Sequence, residues 1–133
     1  MNKVINPDAL VKPIGYSHAV EAMNGRTVYL AGQVAFDEHG QVVHAGDIVK
    51  QFDQALANLQ VTIHAARGEM TDIVKLLIFV KDKTSYSEHL KEIGAVYRTY
   101  FGKYFPAMTL VEVSSLFEDD ALIEIEGIAV IQG

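Results

Sequence analysis

Cysteine is absent from this 133-residue chain, which removes a disulfide framework, a thiolate nucleophile and a zinc–thiolate site together. Basic clusters are absent too. The 11 Lys and Arg are scattered among 17 Asp and Glu, giving a net charge of −6. Neutralising phosphates needs clustered cations, so nucleic acid is not an expected partner. No apolar stretch approaches the ~18 residues of a membrane-crossing helix, and no signal peptide opens the chain. Neither a membrane nor an export route is expected, and a cytoplasmic protein is. No repeat, low-complexity tract or linker-like shift divides residues 1–133, which read as one domain large enough for a buried core. His39, His44, His64 and His89 are dispersed without the spacing of a metal site. No glycine-rich phosphate loop exists. Neither a metal nor a cofactor is implied.

Half of the residues are hydrophobic, an ordinary globular balance, and they recur with clear periods. Val4-Ile5 suggests a short first strand, Tyr16 to Val20 a second, and Thr27 to Ala31 a third ending at Gly32-Gln33. Asn24-Gly25 reads as a tight hairpin turn between the last two. His39-Gly40 turns the chain before a short strand at Gln41-Val42-Val43. Asp47 is a good helix N-cap. Behind it Ile48, Phe52, Ala55, Leu59, Ile63 and Ala66 form one apolar stripe of about five turns, with Gly68 as its C-terminal stop. Ile73 to Val80 is a continuous apolar strand. Ser85 is the expected cap of a second helix carrying Tyr86, Leu90, Ile93, Tyr97 and Tyr100 on one face as far as Gly102. Phe105 to Val113 and Ile123 to Val130 alternate as two closing strands, separated by the acidic reversal Glu118-Asp119-Asp120. This order predicts an α+β fold, a mixed sheet with both long helices packed on one face and some parallel pairing forced by the crossovers. The opposite face is then expected to bury itself against neighbouring subunits.

Several segments carry a resemblance in the same order. They are Gly15-Tyr16-Ser17-His18-Ala19-Val20, Ala31-Gly32-Gln33, Leu56-Ala57-Asn58-Leu59, Asp72-Ile73-Val74-Lys75, Phe79-Val80-Lys81-Asp82, Tyr97 and Phe105-Pro106-Ala107. Together they resemble the YjgF/RidA family over nearly the whole chain. The resemblance implies a chorismate-mutase-like fold assembled as a homotrimer, its sheets lining an inner barrel and three small-molecule clefts lying between subunits. In the family's deaminases those clefts hydrolyse reactive enamines and imines to ketoacids and ammonia. Carried over by position, the resemblance implies that Tyr16 lines the pocket beside Ala31. Gly32 and Thr109 would offer backbone groups to the imine and water, and Glu124 would position the attacking water. Met108 stands where the deaminases have the arginine that grips a substrate carboxylate. Ala31 replaces a serine, and Gly94 occupies a position often held by asparagine.

Methionine supplies no donor where an arginine fork makes two charge-assisted hydrogen bonds, and it leaves that end of the cleft apolar. Removing one partner of a buried charge pair costs on the order of 2–5 kcal/mol, roughly thirty- to several-thousand-fold in transition-state binding. Altered or lost activity on 2-iminoacids is therefore expected unless another cation reaches in. Arg26, Arg67 and Arg98 are the candidates, though the blander expectation puts each far from Met108. The alternative function is a non-catalytic metabolite-binding or regulatory module using the same cleft. Glu124 also reads as one more polar residue alternating with Ile123 and Ile125, and Tyr16 as a packing residue. His18 shares the direction of Tyr16 and reads either as facing the cleft or, as a lone strand histidine more often does, as packing.

Overall fold

Alternating residues of four strands build one mixed sheet in the computed structural model, which describes residues 2–133. The elements are β1 (Lys3–Ile5), β2 (Ala19–Glu21), β3 (Arg26–Gln33), α1 (Ile48–Ala65), β4 (Ile73–Val80), α2 (Lys83–Glu88), α3 (Leu90–Phe101), β5 (Ala107–Glu112) and β6 (Ile123–Ile131). The sheet order is β3-β6-β4-β5. β4 and β5 run parallel because the helical crossover returns the chain in the same direction, whereas β6 is antiparallel to both of its neighbours. β1 and β2 form a separate antiparallel ribbon. No described helix is long and apolar enough to cross a membrane.

The apolar stripe of α1 covers one sheet face. Phe52, Leu56, Leu59 and Ile63 are buried with Leu76, Ile78 and Val80 of β4, Ile123 and Ile125 of β6, and Ile93, Tyr97 and Phe101 of α3. The helices therefore share one face of the mixed α+β sheet, as expected. No described helix covers the other face, where Tyr29 stands 78% exposed beside Ile128. Two side chains of α1 fix the loops at the end of the sheet. Gln51, fully buried, donates to the carbonyls of Asp120 (2.9 Å) and His44 (3.3 Å) and accepts from the Leu122 N–H (2.8 Å). Asn58 donates to Val34 O (3.1 Å) and Phe36 O (3.0 Å).

Five local expectations need correction. The second strand begins at Ala19. Before it, Ser17 is tied to the start of β5, its hydroxyl donating to Phe105 O (2.6 Å) and its N–H to Pro106 O (3.0 Å). Gln41 to Val43 provides only an isolated bridge, Phe36 to Val42. Asn24, at φ 56°, and Gly25 join the β1–β2 ribbon to the main sheet rather than closing a hairpin, since β2 pairs with β1 and β3 with β6. The stop of α1 is a Schellman arrangement with Arg67, at φ 63°, in the left-handed position. The Arg67 N–H donates to His64 O and the Gly68 N–H to Ile63 O, both at 2.9 Å. Gly68 follows one residue later for lack of room, because a β-carbon there would lie 2.6 Å from Ile131 Cδ1. Finally, the cap of the second helical region is Asp82, which accepts from the N–H groups of Thr84 (3.0 Å) and Ser85 (3.3 Å). That region is broken at His89, whose ring donates to Ser85 O (2.7 Å) and so takes the carbonyl that a continuous helix would use.

Candidate functional site

Strand alternation and one bulge create the first part of the site. Ile123 and Ile125 point into the core, so Glu124 points to the uncovered face of the sheet. On β3 the register passes from Leu30 opposite Gly127 to Gln33 opposite Ile125, leaving one extra residue in the strand. That bulge holds Ala31 and Gly32 and brings Gly32 beneath the carboxylate. A β-carbon at position 32 would lie 2.9 Å from Glu124 Cδ and 3.0 Å from Cγ. Glycine is needed here for space, and the group that approaches it is Glu124 itself. Ala31 is exposed, and its carbonyl accepts from the Gln33 side chain (3.4 Å).

Thr109 occupies the same face, in register with Leu77, two strands away from Glu124. Adjacent strands lie about 4.8 Å apart and Thr109 aligns through Leu77 with Glu126, two residues along from Glu124, so the two are separated by roughly 12 Å. The Thr109 hydroxyl accepts from Lys75 Nζ at 3.2 Å. Lys75 was not singled out by sequence reasoning. The signal for it was the alternation that puts Lys75 with Leu77 and Phe79 on the uncovered face.

Met108 points the other way. It is half-buried, in register with fully buried Leu76, and packs against the core on the helix side. There it lines a cavity of about 330 Å³ between β4–β5 and the α2–α3 segment, together with Ile78, Tyr86, Ile93, Gly94, Tyr97, Arg98 and Phe105. One wall is aromatic. Tyr97 stacks on Phe105 with ring centroids 5.0 Å apart, and its hydroxyl donates to Tyr104 O at 2.7 Å. Burial pushes the Tyr86 phenol up to about 12. It also raises Tyr97, with Tyr104 and Tyr86 adding to the effect. Both phenols are neutral at ordinary pH.

The three candidate cations separate clearly. Arg26 donates to Ala66 O at the end of α1 (3.2 Å), and Arg67 forms the turn there. Arg98 lies in the cavity lining with Met108. Tyr16 stands at the β5 edge, its ring edge-on to His18 with centroids 5.3 Å apart, while its neighbours Ile14 and Gly15 line the cavity. The His18 ring also contacts Val11 O at 2.7 Å. One protomer thus brings together Gly32, Ala31 and Glu124, adds Thr109 on the same face, and holds Met108 on the opposite face. Among the described residues no group of three or more His, Asp or Glu is arranged to hold a metal.

Known proteins resemble this chain along its length. The family model described as endoribonuclease L-PSP matches residues 7–131. A RutC family protein of Pyrococcus horikoshii is 38% identical over 130 residues, spanning 97% of this chain and 98% of its own. The 2-iminobutanoate/2-iminopropanoate deaminase of Mus musculus is 32% identical over 131 residues, 98% of this chain and 92% of its own. The Yersinia pestis Rid-family protein YyfB, of unknown function, shares the fold with a TM-score of 0.88 at 34% identity, covering 98% of both chains. RidA from an Antarctic Psychrobacter gives 0.68 at 28% identity, covering 97% of this chain and 99% of its own.

Proposed function

Since this chain belongs to the Rid (YjgF/RidA) family, we propose that it hydrolyses the C=N bond of a small reactive imine, or of the imine tautomer of an enamine, at a site centred on Glu124 and Gly32. The observation that carries this reading is the Glu124 carboxylate lying directly over Gly32 at a bulge, on an uncovered sheet face. Glu124 would hold a water against the C=N carbon, accept its proton and return it to the nitrogen. The backbone at Gly32 would orient that nitrogen, and Thr109, about 12 Å away within one protomer, would join it only from a neighbouring copy. Water adds to carbon, and the tetrahedral intermediate then expels ammonia, leaving the carbonyl product. Relatives named 2-iminobutanoate/2-iminopropanoate deaminase support the reaction class.

Met108 and Glu124 lie on opposite faces within one protomer, so a cleft containing both needs more than one copy of the chain. A homotrimer sealed through the uncovered sheet face, with its apolar Tyr29 and Ile128, supplies that arrangement. With methionine at position 108, β5 itself offers a 2-iminoacid no fork, and turnover of such substrates depends on a cation from elsewhere in the cleft. RNA is not the substrate in this reading, despite the description carried by the family model, because the net charge is −6 and the cations are dispersed.

A second reading, a metabolite-binding module without turnover, is favoured by the cavity around Met108. Its lining contains neutral aromatic and aliphatic groups with one arginine, Arg98, and no carboxylate. Ammonia release from freshly generated 2-aminoacrylate and from an uncharged enamine separates the two readings. Wild-type turnover that collapses in Glu124→Gln supports the hydrolase. Activity that appears only in Met108→Arg supports the binding module, and turnover indifferent to Glu124→Gln refutes the assignment of Glu124.

A further inference from the structure

We infer that Arg98 supplies the positive anchor of the Met108 cavity from the opposite wall, making it a site for an amphipathic monoanion, a carboxylate carried on an apolar body. The argument begins with Gly94. Arg98 follows it by one helical turn on α3, and side chains in a helix lean toward its N-terminus. A β-carbon at position 94 would stand 3.4 Å from Arg98 Nη1, so the guanidinium lies back across the bare face of Gly94. An arginine in the last turn of a helix ordinarily serves the C-terminal carbonyls. This one is folded the other way, toward the mouth of the cavity it lines.

Among the described residues no carboxylate is ion-paired with Arg98; the ion pairs there are Glu38–His39 and His64–Glu69. Arg98 is exposed, so its head sits where water reaches the mouth, and the interior below is Met108, Ile78, Phe52 and Phe105. About 330 Å³ suits a small molecule, at the low end of ligand cavities, roughly 300–1,000 Å³. A guanidinium at the mouth and a thioether with aromatic rings beneath match a ligand with its charge at one end. The position occupied by Gly94 therefore matters as much as position 108, since a larger side chain there would take the space that the guanidinium uses.

This inference rests on the proposed reading only in treating the Met108 cavity as the ligand-holding end of the cleft. Its test measures binding without turnover, so an inactive protein still answers it. The probes are 4-phenylbutanoate and its uncharged amide, titrated calorimetrically at neutral pH against the intact protein. The wild type is expected to bind the acid about tenfold more tightly than the amide, the return from a charge-assisted pair at a wet rim. Arg98→Ala should abolish that preference while leaving amide affinity unchanged, and Arg98→Lys should restore part of it. Gly94→Leu, which fills the mouth, should weaken both ligands. Thermal melts of the variants show that each is folded. Equal affinity for acid and amide in the wild type, a preference that survives Arg98→Ala, or failure of both probes to bind would each overturn the inference.

Discussion

Replacing Gly32 by alanine separates a structural role of this glycine from a catalytic one. The new β-carbon would stand 2.9 Å from Glu124 Cδ and 3.0 Å from Cγ, whereas comfortable carbon–carbon contact begins near 3.5 Å. The carboxylate is the far end of a flexible side chain on an uncovered face, so it moves rather than the strands. Glu124 Oε2 lies nearer still to that β-carbon, so the required displacement is on the order of 1 Å. A rotamer adjustment of that kind costs about 0.5–1.5 kcal/mol, a melting shift of a few degrees for a domain of this size. Its effect on chemistry is much larger, because a 1 Å misplacement of a catalytic group costs about a hundredfold in rate. Alanine keeps the N–H and carbonyl of position 32, leaving any backbone contact to substrate intact. The assay is steady-state ammonia release by the wild type, Gly32→Ala, Glu124→Gln and the double variant. The expected pattern is a loss of about a hundredfold in Gly32→Ala and little further loss when it is added to Glu124→Gln, since both act through one carboxylate. Full activity in Gly32→Ala, or losses that multiply in the double variant, would refute the coupling.

Gln51→Leu should destabilise the fold by about 1–3 kcal/mol, measured as a lower urea midpoint, because it strands the buried Leu122 N–H and the Asp120 carbonyl; an unchanged midpoint would contradict the clamp. Tyr86 has its folded phenol raised to about 12 from an ordinary 10 by burial. Its contribution is complete below pH 10 and lost as pH rises toward 12, up to ~2–3 kcal/mol. Urea midpoints measured across that range should fall less steeply in Tyr86→Phe than in the wild type. Light scattering should return about three times 14.7 kDa, and Tyr29→Glu on the uncovered sheet face should lower that mass. A monomeric wild type would remove the shared cleft.

The strands β4 and β6 and the long helix α1 were legible because their periods match how they are buried. Ile123 and Ile125 had to point inward, and that placed Glu124 outward. What escaped the sequence was decided by distant contacts. Gly68 attracts the role of helix stop, yet its lack of a side chain answers to Ile131 of β6, and Arg67 takes the strained turn. Asn24-Gly25 announces a reversal without naming the strands it joins. Ser85 is a fair cap, but Asp82 comes earlier and accepts two N–H groups, and the ring of His89 then splits the helix. In the site, the positions of Gly32 and Glu124 were legible from the resemblance, but their contact depends on a bulge that no residue pattern revealed. Arg98 was one of three arginines until its place one turn beyond Gly94 set its direction.

The crossover from β4 through α2 and α3 to β5 is a single uninterrupted stretch, residues 73–112. It furnishes Ile78, Tyr86, Ile93, Gly94, Tyr97, Arg98, Phe105 and Met108, whereas Gly32 and Glu124 come from strands outside it. Most of the cavity wall and the Gly32–Glu124 pair thus belong to different parts of the chain, with Phe52 and the Ile14–Gly15 turn completing the wall from outside the crossover. Transplanting that one cassette between relatives would exchange most of the cavity wall and leave Glu124 and Gly32 untouched, so one part can vary without disturbing the other.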